Sequence, residues 1–151
     1  MNKDDPVVIA AALCRNFEGL YLKPYLCPAN VPTIGYGTTR YEDGTKVSLT
    51  DSQITKERAE ELLQWELKQV CLPQVKRLCP DIESLGTGIT AALIDFTYNL
   101  GSGNLASSTL RKKVNAGDIE GTKEQLMRWT KAGGKELSGL VRRRKAEANL
   151  F

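Results

Sequence analysis

Apolar positions recur at intervals of three and four residues along most of the chain, and one stretch breaks that rhythm. Residues 5–17 read as a first helix. Val8, Ala11, Ala12 and Arg15 share one stripe, and Ile9, Leu13 and Asn16 the next. Asp5 suits its N-cap and Pro6 its first helical position. Residues 20–49 lose the helical period. Three prolines (Pro24, Pro28, Pro32), the run Gly35-Tyr36-Gly37 and an Asp43-Gly44 turn signal predict a small antiparallel sheet. Its candidate strands are 33–36 and 45–49. The period returns at Thr50 or Thr55, either of which suits an N-cap, and Ala59, Leu62, Leu63, Leu67, Val70 and Cys71 then form an apolar stripe. Pro73 is expected to kink or end this helix, and Pro80 to interrupt it. The most apolar helix covers 87–100, with Ile89, Leu93, Phe96 and Leu100 in register and Gly101 at its C-cap. A short helix over 108–115 follows. Another runs from an Asp118 cap through Trp129 to about residue 131. Gly133-Gly134 breaks the chain, and a basic helix over 137–150 closes it.

This pattern predicts one α+β domain over 1–151 in two lobes. A small antiparallel sheet lobe (about 18–50) is joined by a long helix (about 55–79) to a helical lobe (about 85–151). A cleft between two such lobes is a favoured ligand site.

Composition narrows the chemistry. The chain has 151 residues, 41% hydrophobic and 26% charged, as an ordinary globular domain does. It contains no histidine. That excludes Ser-His-Asp and Cys-His nucleophiles, HExxH zinc sites and histidine general bases, leaving carboxylates, hydroxyls, thiols and lysine. The four cysteines (Cys14, Cys27, Cys71, Cys79) lack C-x-x-C spacing, so free thiols are expected, with no metal site and no cofactor. The apolar run over 7–13 is far shorter than the roughly 20 residues that span a bilayer, and it lacks a basic leader and a cleavage site. No integral membrane segment or export signal is expected. A net charge of +3 is compatible with an anionic polymer and does not demand nucleic acid. The cluster Arg142, Arg143, Arg144 and Lys145 reads as a solvated helix face; no aromatic residues interleave with it, and a nucleic-acid partner is not expected.

Residues 18–39 hold the densest candidate chemistry. Glu18 follows an apolar helix and precedes a turn. It is either a solvated surface acid or a partly buried one, and burial at the negative end of a helix favours the protonated form that a general acid needs. Thr33 is either a good strand former or a hydroxyl that orients water. Cys27, in the loop before Thr33, is either a small buried hydrophobe or a reagent. Gly35 and Gly37 do not make a dinucleotide motif; they suit close backbone approach in a hairpin.

The spacing Glu18, eight residues, Cys27, five residues, Thr33, running into TIGYGT, resembles the catalytic segment of phage-type lysozymes, the endolysins of glycoside hydrolase family 24. The resemblance continues through FTYNLGSGNLASSTLRKKVNAGD (96–118), RWTKAGGKELSGL (128–140) and Arg143, Arg144 and Glu147. It implies a two-lobed lysozyme-like fold and a muramidase that cleaves the β-1,4 bond between N-acetylmuramic acid and N-acetylglucosamine in murein. It implies that Glu18 is the general acid, Thr33 the catalytic threonine and Cys27 a residue at a place where many members carry aspartate. Thr39, Tyr98, Asn99 and Thr109 fall near glycan-contacting positions, and Arg143 would approach the acid from the final helix. Thr38 stands where the family often has histidine, so an ion pair there is absent. Glycosidases usually employ two carboxyl groups. With a thiol in the second place, a lytic transglycosylase and an inert murein-binding protein stay open beside the hydrolase. The resemblance further implies a monomer held in the host bacterial cytoplasm that acts on the wall after release, with a holin giving access.

Overall fold

The computed structural model describes residues 4–151. Helix α1 (Pro6–Glu18) starts where Asp5 accepts a bond from the Val7 N–H at 2.9 Å, and it ends at Gly19, which turns with φ +74°. Its buried face is Val7, Ala10, Ala11 and Cys14, an i, i+3, i+4, i+7 set. This face is rotated from the stripe read in the sequence: Val8 is half-buried and Ala12 exposed. The alanines win because α1 packs closely on the central helix, where small side chains allow backbones to approach.

The sheet is smaller than expected. Strands β1 (Tyr21–Leu26) and β2 (Pro32–Gly35) pair antiparallel, with Tyr25 opposite Thr33 and Tyr21 opposite Gly35. The register shifts between Tyr21 and Tyr25, around Pro24, whose missing N–H cannot join the ladder. Residues 45–49 do not form the expected strand. They contribute one isolated bridge, Arg40 to Lys46, because the chain folds back through the Tyr41–Gly44 turn and finds no further partner.

Helix α2 (Lys56–Glu66) takes Thr55 as its N-cap, accepting from the Arg58 N–H at 3.1 Å. A π turn (Leu67–Cys71) leads directly into α3 (Leu72–Leu78). Pro73 therefore neither ends nor breaks the rod. It sits in the first turn of α3, where the π turn has already shifted the hydrogen-bond register and a missing N–H costs little. The rod stops before Pro80, as expected.

A 3-10 turn (Ile82–Leu85) precedes α4 (Thr87–Leu100), which the rest of the helical lobe surrounds. Every residue from Ile89 to Thr97 is buried, as befits a helix apolar on nearly all sides. Helices α5 (Ser102–Ala106), α6 (Thr109–Asn115, capped by Ser108) and α7 (Ile119–Leu126, capped by Asp118) complete the lobe. Arg111 donates to the Leu78 carbonyl at 2.8 Å and so ties α6 to the end of the connecting rod. Helix α7 stops earlier than the sequence suggests. The chain from 131 to 136 is a hairpin of β3 (Lys131–Ala132) and β4 (Lys135–Glu136), closed by Gly133 and Gly134 with φ +59° and +80°. Helix α8 (Ser138–Ala148) then packs back on α4. Among the described residues no helix is long and apolar enough to cross a membrane.

Candidate active site

The end of α1, the loop after β1 and the start of α8 enclose a cleft of about 610 Å³. It is lined by Phe17, Glu18, Pro28, Asn99, Leu137 and Arg143, among others. Glu18 is held there from two sides. Arg143 Nη1 lies 2.6 Å from its Oε2. On the other side Gly37 presses against it: a Cβ built on Gly37 would stand 2.7 Å from Glu18 Oε1. Gly37 also has φ +84°, so both the space and the backbone require glycine. The Gly-x-Gly run is thus the floor on which the acid rests.

Arg143 is only 4% exposed and needs more than Glu18 to stay charged. Asp95 supplies it, with Nε to Oδ2 at 2.9 Å and Nη2 to Oδ1 at 2.8 Å, a bidentate pair. Asp95 is wholly buried; burial opposes its charge, but bonds from Glu147 and Arg143 outweigh this and hold the carboxyl below its usual range. Cys14 completes the cluster. Its thiol donates to Asp95 at 3.2 Å, and burial first, then the Asp95 charge, pushes it far above the usual thiol range, so it stays neutral. Because Asp95 neutralises Arg143, Glu18 gains a fixed orientation without facing an unbalanced cation.

One turn along α8 a second buried pair braces the first. Arg144 Nη2 donates to Glu147 Oε2 and to Asn99 Oδ1, each at 2.8 Å. Arg144 Nε stands 2.7 Å from Glu147 Oε1, at ion-pair distance but off the hydrogen-bond direction. Burial and the charge of Asp95 push the Glu147 carboxyl well up, and Arg144 opposes this only in part. The expected solvated face of α8 is therefore corrected: Arg143 and Arg144 are buried, while Arg142 and Lys145 are exposed.

Cys27, in the loop after β1, and Thr33, in β2, lie beside each other, and neither lines the Glu18 cleft. Burial pushes the Cys27 thiol up, but hydrogen bonds from the Val31 and Ala29 backbone and from the Thr33 hydroxyl win, and the thiol sits below its usual range. Thr33 is 3% exposed and gives its hydroxyl proton to the Val31 carbonyl at 2.8 Å; turned the other way, that proton meets the sulfur. Tyr25 stands within electrostatic reach of both Glu18 and Cys27.

The other anticipated residues divide. Asn99 lines the cleft. Tyr98 is half-buried behind it and donates its hydroxyl to the Tyr36 carbonyl, which makes it a support for the Gly-x-Gly ribbon. Thr39 lines a separate recess with Arg40 and Val47, and Thr109 is exposed in the first turn of α6; neither lines the Glu18 cleft. Sequence reasoning missed Asp95, although a lone acid inside the most apolar helix was a usable signal.

It also missed Glu66, at the end of α2. Burial, and then the charge of Glu18, push its carboxyl up to about 7. No hydrogen bond or ion pair reaches it among the described residues. Between pH 4.5 and 7 the folded protein holds a proton there that the unfolded chain has released, so stability falls as pH rises through this window. Above it the loss is constant at about 3 kcal/mol. Glu66→Gln should therefore stabilise the protein by up to about 3 kcal/mol at pH 8 and by little at pH 4. Urea unfolding at the two pH values checks this.

The phage lysozyme family model matches residues 15–147. This chain belongs to the phage lysozyme family. It is 38% identical over 133 residues to the SAR-endolysin of bacteriophage PS119, covering 88% of this chain and 75% of that one. It is 37% identical over 144 residues to the endolysin of Acyrthosiphon pisum secondary endosymbiont phage 1, covering 92% of each. Among solved structures it is similar to the endolysin of the Escherichia coli phage FAHEc1, with a TM-score of 0.71 and 32% identity over 94% of this chain and 89% of that one. The α+β lysozyme fold expected from the sequence is thereby met, and the chain is a peptidoglycan-hydrolysing endolysin.

Proposed function

We propose that this phage lysozyme hydrolyses the β-1,4 bond between N-acetylmuramic acid and N-acetylglucosamine, with Glu18 as general acid and Cys27 and Thr33 holding the attacking water. The observation that carries the reading is the fixed carboxylate. Glu18 is the acid at the cleft surface, 22% exposed at its side chain, and a buried arginine and a glycine ribbon fix its direction. Glu18 gives its proton to the glycosidic oxygen, and the C–O bond breaks toward an oxocarbenium-like state. Water attacks the anomeric carbon from the side of Cys27. Its proton passes to the Cys27 thiolate; the thiol so formed then releases that proton to solvent, and Glu18 takes one back. The lowered affinity of Cys27 for its proton supports this role, because the base must be free to accept one.

The test is murein solubilisation by Cys27→Ser and Cys27→Ala. Both should lose activity by about 10²-fold, the usual contribution of a general base. Full activity in Cys27→Ala would remove the thiol from the chemistry. A thiol in the usual place of the second carboxylate also favours a second reading, in which the muramyl hydroxyl attacks and an anhydro end forms. In either case the enzyme acts as a monomer and needs no cofactor. It waits in the host cytoplasm until a membrane-permeabilising partner such as a holin lets it reach the wall.

A further inference from the structure

The attacking water has two protons to give and two lone pairs to offer, and one lone pair must face the anomeric carbon. Cys27 takes one of the protons. Thr33 can take the other, because its own hydroxyl proton goes to the Val31 carbonyl at 2.8 Å and leaves its oxygen as an acceptor. The second lone pair then lacks a donor. Without one the water can still turn, and the lone pair that must attack is not held in line.

Tyr25 is placed to supply that donor. It stands directly opposite Thr33 in the ladder of β1 and β2, so the two side chains leave the same face of the sheet with Cβ atoms about 5 Å apart. Cys27 follows two residues later, in the turn closed by the bond from its N–H to the Val31 carbonyl at 3.1 Å. The ring of Tyr25 is held by its stack on Tyr21, with 4.0 Å between centroids. Tyr21 in turn lies over Gly19, the residue after Glu18, where an added Cβ would meet its ring at 3.5 Å. The Tyr25 hydroxyl, by contrast, is unengaged. Tyr41 donates to Asp51 and Tyr98 to the Tyr36 carbonyl, whereas the Tyr25 hydroxyl has no hydrogen-bond partner among the described residues. Burial first, then the charges of Tyr21, Glu18 and Cys27, raise its affinity for its proton, so it stays a neutral donor within reach of both the acid and the thiol.

Resting on the muramidase reading with Cys27 and Thr33 at the water, we propose that the Tyr25 hydroxyl donates a hydrogen bond to the attacking water and fixes its direction. Tyr25 gains and loses no proton in this role. The water's proton still leaves through Cys27, and the stack on Tyr21 keeps the donor in place through the reaction.

The test is Tyr25→Phe, which removes the hydroxyl and keeps the ring on Tyr21. On soluble murein strands its kcat should fall about tenfold while KM and Tm hold. The loss should also depend on Cys27. In a Cys27→Ala background, where the water is already loose, adding Tyr25→Phe should lower kcat by less than about twofold. An unchanged kcat in Tyr25→Phe overturns the proposal. So does a tenfold loss repeated in both backgrounds, since Tyr25 would then act through something other than the water that Cys27 holds. Full activity in Cys27→Ala overturns instead the water site beneath the proposal, and the proposal falls with it.

Discussion

Glu18→Gln should lower the release of soluble murein fragments by at least about 10³-fold while leaving the protein folded and able to sediment with murein. The amide keeps the shape and still accepts from Arg143, but it has no proton to give the leaving oxygen. General acid catalysis typically contributes about 10²–10⁴-fold, and an isosteric amide removes all of it. Folding should survive because Arg143 keeps its two bonds to Asp95. Release and sedimentation measured on one preparation separate lost chemistry from lost binding. Wild-type release by Glu18→Gln contradicts the assignment.

The largest effect on stability belongs to Arg143. Arg143→Met should cost about 3–5 kcal/mol, because Asp95 is then left charged and wholly buried with only the Cys14 thiol and Glu147 beside it. For a chain of this size that is a fall in Tm of roughly 10–15 °C. Adding Asp95→Asn should recover part of the loss, since the orphaned charge disappears with it. Chemical denaturation of the two single variants and the double variant gives the coupling directly. Activity should fall in all three, with Asp95→Asn affected least, because there Arg143 still reaches Glu18. Strict additivity of the stability effects would mean that the pair does not act as a unit.

What the sequence disclosed and what it hid follow one physical line. Local signals were readable: Asp5 and Asp118, and Thr55 as one of two candidates, were legible as caps because a short polar side chain before an apolar period has one evident use. The Gly-x-Gly run was readable as a place of close approach, though the group approached, the Glu18 carboxylate, is not local to it. Features created by distant contacts were not readable. A run of three arginines on α8 looks solvated until Asp95 and Asn99, nearly fifty residues earlier, are brought against it. Strand β1 escaped notice because Pro24 and its irregular register hide the alternation of a strand. The π turn escaped because no residue type marks it, and Pro73 pointed the opposite way. Glu66 looks like one more solvated acid among Glu57, Glu60 and Glu61, and only the packing of the lobes around it gives it a raised proton affinity. The proposed catalytic positions were reached through family spacing, since no periodicity in the sequence distinguishes Glu18, Cys27 and Thr33 from their neighbours.

The central claim is that Glu18 and a water held by Cys27 and Thr33 hydrolyse the muramyl bond. Mass spectrometry of fragments released from purified murein in ¹⁸O-labelled water tests it most directly. Hydrolysis predicts fragments that end in a reducing N-acetylmuramic acid and carry one solvent oxygen. Fragments ending in 1,6-anhydromuramic acid, with no label taken up, would contradict it.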